Sequence, residues 1–505
     1  MAGLRGLAGD TVWYGLSSII GRMITYFLTP LYTGVLAKDM FGVYTEFYAY
    51  VGFLYAIYTF GMETSYFRYA SKTDDPQSTF NVSLSSILVV SISISGALCL
   101  LATPITELLE YQGQEQVIYW LSSIIAIDAI VAIPYAKLRR EKKPRKFAFI
   151  RLFNVSFTVL LNLFFYAFCL QIIEGKFLVS LASYISPWYD LDFQVKYIFL
   201  SNLIANASVV FLLYQEFKGF RFSLNREKLQ PMIKYAMPLL IMSLAVVTNE
   251  MLSRTILKYW LPEGYYPGLS NQEVLGIFGA CYKLSVFMLL GIQAFRYAAE
   301  PFFFSHSENK NSPQLFTKVM TGFIIFNCLV FYAVSVNLKP IGVVFLTNPE
   351  YREAIFIVPI LLMGYLFSGI NYNLSVWYKL TDQTKYGAII TSIGAIITIA
   401  LNYYLIPVWG YLGSAIATFA TFFTMATISY ILGRKYYPIP YDLPKALEYL
   451  VLSSIGVAII YPLELGHWFL DFVIKNLTVI LFIAYIYFRE RKQLSGIKVF
   501  GFKIP

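Results

Sequence analysis

Charge is scarce in this chain: only 13% of its 505 residues are Asp, Glu, Lys or Arg, about half the share found in soluble domains. The four cysteines stand singly inside apolar runs without CxxC spacing, so they predict no disulfide framework. His306 and His467 have no partner at metal-ligand spacing, so we expect neither a metal site nor a cofactor. No Walker A loop, GxSxG motif or zincin motif occurs, so nothing indicates ATP or substrate hydrolysis.

Apolar residues fill the chain instead, at 58% of the sequence. They form about fourteen runs, each close to the ~20 residues that cross a bilayer. Because backbone amides in hydrocarbon must be satisfied within their own segment, these runs must be helices. The fold class is therefore predicted as an all-α polytopic membrane protein with about 14 transmembrane helices. We predict helices at 10–36, 42–64, 82–104, 116–134, 147–172, 194–215, 233–260, 273–299, 317–338, 354–377, 385–406, 411–433, 446–464 and 467–488.

The net charge of +10 reflects membrane topology. Lys and Arg concentrate in alternate loops, notably Lys137–Lys146 and Glu216–Lys234, and in the C-terminal tail. The intervening segment Thr106–Gln116 carries only acidic charges. Because basic loops stay in the cytoplasm, both termini are predicted to be cytoplasmic, and a nucleic-acid partner is not expected.

Weak internal similarity predicts a duplication. Ala148, Leu161 and Asn162 in the fifth predicted helix recur as Ala388, Leu401 and Asn402 in the eleventh, at an offset of about 240 residues. The second and eighth helices begin alike, with Phe-Gly-Val-Tyr and Leu-Gly-Ile-Phe. Two six-helix lobes in the same orientation would form a parallel repeat. The predicted domains are an N-lobe at 1–215, a cytoplasmic linker at 216–232, a C-lobe at 233–433, and two further helices with a basic tail at 434–505.

This organisation resembles the polysaccharide-transporter branch of the multidrug/oligosaccharidyl-lipid/polysaccharide (MOP) exporter superfamily. The most specific stretch reads Gly279-Ala-Cys-Tyr-Lys-Leu-Ser and then Gln293-Ala-Phe-Arg-Tyr-Ala-Ala-Glu-Pro-Phe-Phe-Phe, and it is similar to O-antigen and oligosaccharide flippases. The resemblance covers essentially the whole chain. It implies a MATE-like fold and a cavity between the lobes, lined largely by helices 1, 2, 7 and 8.

Charges inside the predicted helices need a reason, because each costs at least ~2.5–3.5 kcal/mol near the bilayer centre. Arg22, Arg254 and Lys283 outnumber the one nearby carboxylate, Glu250. Arg offers a bidentate fork and Lys a point charge, so we expect these three cations to bind a diphosphate. Lys258 is expected to snorkel towards the outer interface.

The remaining charges are assigned to gating, coupling or packing. A cavity or gate role is expected for Glu63, Glu250, Arg296 and Glu300. Asp128, Glu63 and Glu250 are the candidates for ion coupling, with a helix-packing carboxylate as the alternative for Asp128. Arg151 is placed at the cytoplasmic mouth of helix 5, and Asp471 with Lys475 is interpreted as a structural pair. Most aromatics are expected to pack, with sugar stacking as the alternative for Tyr26, Tyr32, Tyr48, Tyr55 and Tyr58.

The leading hypothesis is a flippase that moves undecaprenyl-diphosphate-linked oligosaccharide across the bacterial inner membrane for O-antigen or capsule synthesis. A lipid II flippase is the runner-up, and a cation-coupled multidrug exporter is third, although such an exporter should carry a carboxylate-rich cavity. A membrane glycan polymerase or ligase is the rival from another class, but the longest outer loop, Glu174–Lys196, lacks Arg and His. The expected partners are the lipid-linked substrate, membrane lipid, a coupling ion (H⁺ or Na⁺) and polysaccharide-assembly proteins.

Overall fold

The computed structural model describes residues 19–306, 311–494, 498–499 and 502–503, and helices account for most of these residues. We label the main helices α1 to α14. The first six are α1 (19–26 and Leu28–Val35), α2 (Lys38–Thr59, then Met62–Ala70), α3 (Pro76–Leu100), α4 (Glu115–Arg140), α5 (Pro144–Ile173) and α6 (Lys196–Leu212). The next four are α7 (Arg226–Trp260), α8 (Asn271–Lys283, then Val286–His306), α9 (Ser312–Val336) and α10 (Val358–Leu374). The last four are α11 and α12 (together Lys385–Tyr436), α13 (Leu443–Ile460) and α14 (Trp468–Leu494).

Local sequence sets several of these boundaries. The side chain of Asp75 caps α3 by accepting a hydrogen bond from the Ser78 amide, and Asn225 and Asp442 cap α7 and α13 in the same way. Such caps satisfy amides that the first helical turn leaves without an intrahelical partner. Gly410 separates α11 from α12 because its φ of 53° lies in the left-handed region, which glycine adopts without the penalty of a Cβ.

The predicted all-α membrane fold is confirmed. Nine helices among the described residues are long and apolar enough to cross a membrane, or ten when the bent α8 counts as one span. A helix also lies at each predicted segment. The smaller count arises because α11 and α12 form one helix of 52 residues, α6 has only 17 residues, and the α2 segment Lys38–Thr59 is not apolar enough. In addition, only residues 19–36 of the first predicted helix are described.

The chain divides into two compact units. The first comprises the described residues up to Lys283 together with Thr391–Ala417, and the second comprises Leu284–Ile390 with the described residues from Thr418 onward. The proposed division into two six-helix lobes with a linker stays a prediction.

In the first unit, α2 and the first segment of α8 cross at a pair of glycines. A Cβ on Gly42 would lie 2.3 Å from the carbonyl oxygen of Gln272, and one on Gly276 would lie 1.9 Å from that of Lys38. Each glycine thus faces the carbonyl of the residue that lies four positions before the other glycine in the sequence. Such reciprocal contacts are what a two-fold relationship between the helices produces. These are the glycines that the sequence comparison of the second and eighth helices aligned.

The second aligned pair also has matching surroundings. The Asn162 side-chain amide donates a 2.8 Å hydrogen bond to the Thr158 carbonyl in α5, and Asn402 donates one of 2.7 Å to the Thr398 carbonyl in α11. Both asparagines are fully buried. The two aligned asparagines therefore make the same local contact, and the duplication stays a prediction.

In the second unit, α13 and α14 are joined by a buried polar cluster. Lys445 donates a 2.7 Å hydrogen bond to one carboxylate oxygen of Glu490, and Tyr449 donates one of 2.8 Å to the other. Nearby, Gly456 lets α13 approach Tyr332 of α9, because a Cβ would lie 2.5 Å from the ring. A short antiparallel ribbon, β1 (Lys498–Val499) with β2 (Phe502–Lys503), follows α14.

Candidate functional site

Lys283 ends the first segment of α8 and is held by two tyrosines. Its Nζ donates a 2.9 Å hydrogen bond to the Tyr44 hydroxyl of α2 and lies 4.9 Å from the centre of that ring. The ring of Tyr26 in α1 lies 5.9 Å from the same nitrogen. Aromatic faces attract a cation without neutralising it, so this lysine keeps its charge available to an anion.

Arg254 of α7 is held in a similar way by Tyr282, the residue that precedes Lys283. Its guanidinium lies 4.2 Å from the centre of the Tyr282 ring and donates a 2.8 Å hydrogen bond to the Glu250 carbonyl. The Tyr282 hydroxyl donates to that same carbonyl at 3.3 Å. Two of the predicted diphosphate ligands are therefore linked through α8, because Arg254 stacks on Tyr282 and Lys283 is the next residue.

Arg22 is the third predicted ligand and lies on α1, one turn before Tyr26. Its side chain is exposed, whereas Gly21 beside it packs near Val155 of α5. Since Tyr26 approaches Lys283, α1 brings Arg22 to the same side of the first unit. The binding of a diphosphate by these three cations stays a prediction.

Lys258, expected to snorkel towards the outer interface, contacts the segment predicted to lie outside, in a polar cluster that the sequence reasoning missed. Its Nζ donates to the Leu109 carbonyl at 3.0 Å and lies 3.2 Å from the Glu110 carboxylate. The fully buried Glu46 lies 3.9 Å away. Glu46 falls inside the second predicted helix, so the insertion cost of a carboxylate could have identified it.

A polar cavity of about 430 Å³ lies among α2, α4, α5 and α6. Its walls include two predicted site residues, Asp128 and Glu63, together with Arg151. Asn206 donates a 2.9 Å hydrogen bond to Asp128, and Asn154 donates one of 2.9 Å to Asn206. The asparagines were missed from the sequence, although polar residues in apolar helices commonly mark such contacts.

The charged cavity residues are partly neutralised by their neighbours. Glu63 accepts a hydrogen bond from Arg139 in an ion pair, so it is engaged rather than available as an isolated carboxylate. The Arg151 guanidinium lies 5.3 Å from the centre of the Tyr135 ring. Of the three candidates for ion coupling, Asp128 is the one that the structure places in a network of amides.

The other predicted residues lie elsewhere. Arg296 of the second unit stacks 4.4 Å from the centre of the Tyr372 ring, while the side chain of Glu300 lies outside the described part. Lys475 donates to the Tyr461 carbonyl at 3.1 Å, and Asp471 accepts from the Leu465 amide at 2.8 Å. Lys475 and Asp471 therefore each bind a backbone group of the loop between α13 and α14.

Comparison with known proteins gives matches at the level of structure. No family model matches the sequence, and no curated protein matches it either. The structure is similar to the lipid II flippase MurJ in its inward closed conformation, with a TM-score of 0.67 and 17% identity over 94% of this chain and 99% of that one. It is also similar to an inward-facing multidrug resistance MATE transporter of the MOP superfamily, with a TM-score of 0.64 and 11% identity over 84% and 94%. A MATE protein in complex with MaD3S matches with a TM-score of 0.57 and 12% identity over 85% and 95%.

At these identities the likeness shows the fold. The chain thus has the MOP superfamily fold over most of its length, as the sequence predicted, although the polysaccharide branch is not singled out. The matched structures are of transporters, not enzymes.

Proposed function

Starting from this fold, we propose that the chain is a flippase for a polyprenyl-diphosphate-linked saccharide. It would move this lipid from the cytoplasmic to the outer leaflet of a bacterial inner membrane by alternating access. The observation that carries the proposal is the pair Arg254 and Lys283, each held against a tyrosine ring on neighbouring membrane helices. Cations inside membrane helices commonly mark the pathway of a charged substrate, and a diphosphate is an anion that both side chains can bind.

The two phosphoryl groups suit the two kinds of cation. Arginine presents a planar fork that contacts two phosphate oxygens at once, whereas lysine acts as a point charge. The Tyr44 and Tyr282 contacts hold both side chains in place before the ligand arrives, which lowers the entropy lost on binding. Arg22 on α1 would complete the set.

Among diphosphate lipids, lipid II is the first substrate to test. The matched MurJ structure is named a lipid II flippase, which supports the second-ranked sequence hypothesis better than the oligosaccharide hypothesis. Both lipids share the diphosphate that the cationic cluster would bind, so the cluster itself does not choose between their sugars.

A multidrug exporter is the second candidate, because MATE structures also match the fold. A cationic drug needs an available carboxylate. Among the described carboxylates, Glu46 accepts three tyrosine hydroxyl groups, Glu63 is paired with Arg139, and Asp128 of the cavity accepts a hydrogen bond from Asn206. The arrangement of charges therefore favours an anionic substrate.

Transport assays with two lipids and one dye, in proteoliposomes that contain the purified protein, test the proposal. Fluorescent lipid II and an undecaprenyl-diphosphate-linked oligosaccharide would be compared with a fluorescent cationic dye. The proposal predicts that at least one diphosphate lipid is translocated faster than in protein-free liposomes. Transport of the dye alone would instead establish the exporter.

A further inference from the structure

We propose that the polar cavity among α2, α4, α5 and α6 is a second binding site, which takes the saccharide of the lipid-linked substrate. The inference rests on the proposed function and deepens it. Its volume of about 430 Å³ falls within the ~300–1,000 Å³ typical of small-ligand pockets.

The cavity wall has the chemistry that recognises a ring rich in hydroxyl groups. Asp128 accepts hydrogen bonds, Asn154 and Asn206 both donate and accept, and Arg151 donates. Tyr48 and Tyr55 line the same cavity and supply ring faces on which a sugar can stack. Polar groups are costly to bury among membrane helices, so this concentration of them points to a functional site.

Charge in the cavity is balanced, which favours a neutral polar ligand. Two arginines, Arg139 and Arg151, are matched by two carboxylates, Glu63 and Asp128.

A line of tyrosines connects this cavity with the diphosphate cluster. Tyr44, which accepts the hydrogen bond from Lys283, lies 4.8 Å from Tyr48 between ring centres. Tyr48 and Tyr55 follow on the same face of α2, because residues spaced by three, four and seven positions share a helix face. A saccharide joined to a diphosphate at Lys283 would therefore extend along α2 into the cavity.

A comparison of the binding of two lipids distinguishes the saccharide site from the diphosphate cluster. Equilibrium affinities of the full-length protein in nanodiscs would be measured for lipid II and for undecaprenyl diphosphate, which has the same tail and phosphates but no sugar. We expect Tyr55→Leu and Asn154→Leu each to weaken lipid II binding by about tenfold, or about 1.4 kcal/mol. Both variants should bind undecaprenyl diphosphate as the unchanged protein does, which also shows that they are folded.

Matched variants sharpen the result. Tyr55→Phe keeps the ring and should retain lipid II affinity, and Tyr119→Leu removes an exposed tyrosine of α4 outside the cavity and should have no effect. Equal affinity of the unchanged protein for the two lipids would overturn the saccharide site while leaving the diphosphate site intact. If lipid II affinity depends on Na⁺ but is unchanged in Tyr55→Leu and Asn154→Leu, the saccharide site is wrong and the cavity is assigned to a cation. Failure to bind either lipid would overturn the proposed function itself.

Discussion

The Tyr259 hydroxyl of α7 donates a 2.6 Å hydrogen bond to the fully buried Glu46 carboxylate of α2. Tyr50 donates to the same oxygen at 2.9 Å, and Tyr111, from the segment before α4, donates to the other at 2.5 Å. Lys258 adds its charge 3.9 Å away. One carboxylate thus joins two helices and a loop within the first unit, at the end that the charge distribution predicts to be external. This end is also where Gly42 and Gly276 cross.

Replacement of Glu46 by glutamine should destabilise the protein. The amide group keeps one acceptor oxygen, so at least one tyrosine hydroxyl loses its partner in a buried setting, at about 1–3 kcal/mol. The matched control is Glu110→Gln, which touches the same Lys258 but is 74% exposed and should cost less than ~1 kcal/mol. Thermal unfolding in detergent measures both, and equal stability of the two variants would contradict a structural role for the cluster.

Alanine at Gly276 should disrupt the crossing of α2 and α8. Its Cβ would lie 1.9 Å from the Lys38 carbonyl oxygen, so the helices must separate, at a cost of about 1–3 kcal/mol or more. Gly96→Ala in α3 is the control, since a Cβ there meets no atom within 4 Å. Thermal stability of the two purified variants checks the prediction. A Gly276→Ala protein as stable as Gly96→Ala would show that the crossing tolerates a wider separation.

Cysteine labelling tests the predicted orientation. Gln112→Cys and Glu263→Cys should react with an impermeant thiol reagent added outside intact cells, whereas Arg145→Cys and Arg226→Cys should not. All four side chains are exposed, so labelling reports the side of the membrane. The neighbouring Gly113 and Gly268 are avoided because their φ values of 79° and 78° would strain a cysteine. Reversed labelling would reverse the proposed direction of transport.

Sequence patterns predicted the helices well because membrane spans are governed by length and hydropathy. The glycine pair and the asparagine pair were also visible as repeats, and the structure gives each pair equivalent contacts. Tertiary partners were harder to predict. The association of Glu46 with Tyr111 joins residues 65 positions apart, and no local pattern marks it. The partners of Lys258 were missed for the same reason, because they come from the loop before α4.

The site was predictable in part. A surplus of cations in helices 1, 7 and 8 pointed to Arg254 and Lys283, yet their tyrosine contacts depend on packing between helices. Tyr48 and Tyr55, two of the five tyrosines considered for sugar stacking, line the polar cavity. Tyr32 and Tyr58 are instead buried and hydrogen-bonded to Asn162 and Ser95.

Ion coupling, if it drives the cycle, should depend on Asp128. The Asp128→Asn variant keeps the shape of the side chain and removes its charge, so we expect transport to lose its dependence on a Na⁺ or H⁺ gradient. Substrate affinity should change by less than about tenfold. Glu63→Gln is the comparison, because Glu63 is already paired with Arg139. Unchanged ion dependence in the Asp128 variant would leave downhill flipping as the mechanism.

The initial rate of lipid II translocation by Lys283 variants tests the central claim most directly. In proteoliposomes with equal amounts of protein, Lys283→Ala should slow translocation by roughly 10- to 100-fold, the equivalent of the ~1.5–3 kcal/mol of a hydrogen bond to a charged group. Lys283→Arg should keep part of the rate, and Lys283→Glu should be slower than alanine because it repels the diphosphate.

Two controls separate binding from structure in that measurement. Tyr44→Phe removes the 2.9 Å hydrogen bond to Lys283 but keeps the positive charge, and Lys475→Met removes a cation from α14. Tyr44→Phe should slow translocation much less than Lys283→Ala does, because the ring and the charge remain, and Lys475→Met should translocate lipid II at near the unchanged rate. A Lys283→Ala protein that translocates lipid II as fast as the unchanged protein, or a Tyr44→Phe protein that loses as much as Lys283→Ala, would contradict the account.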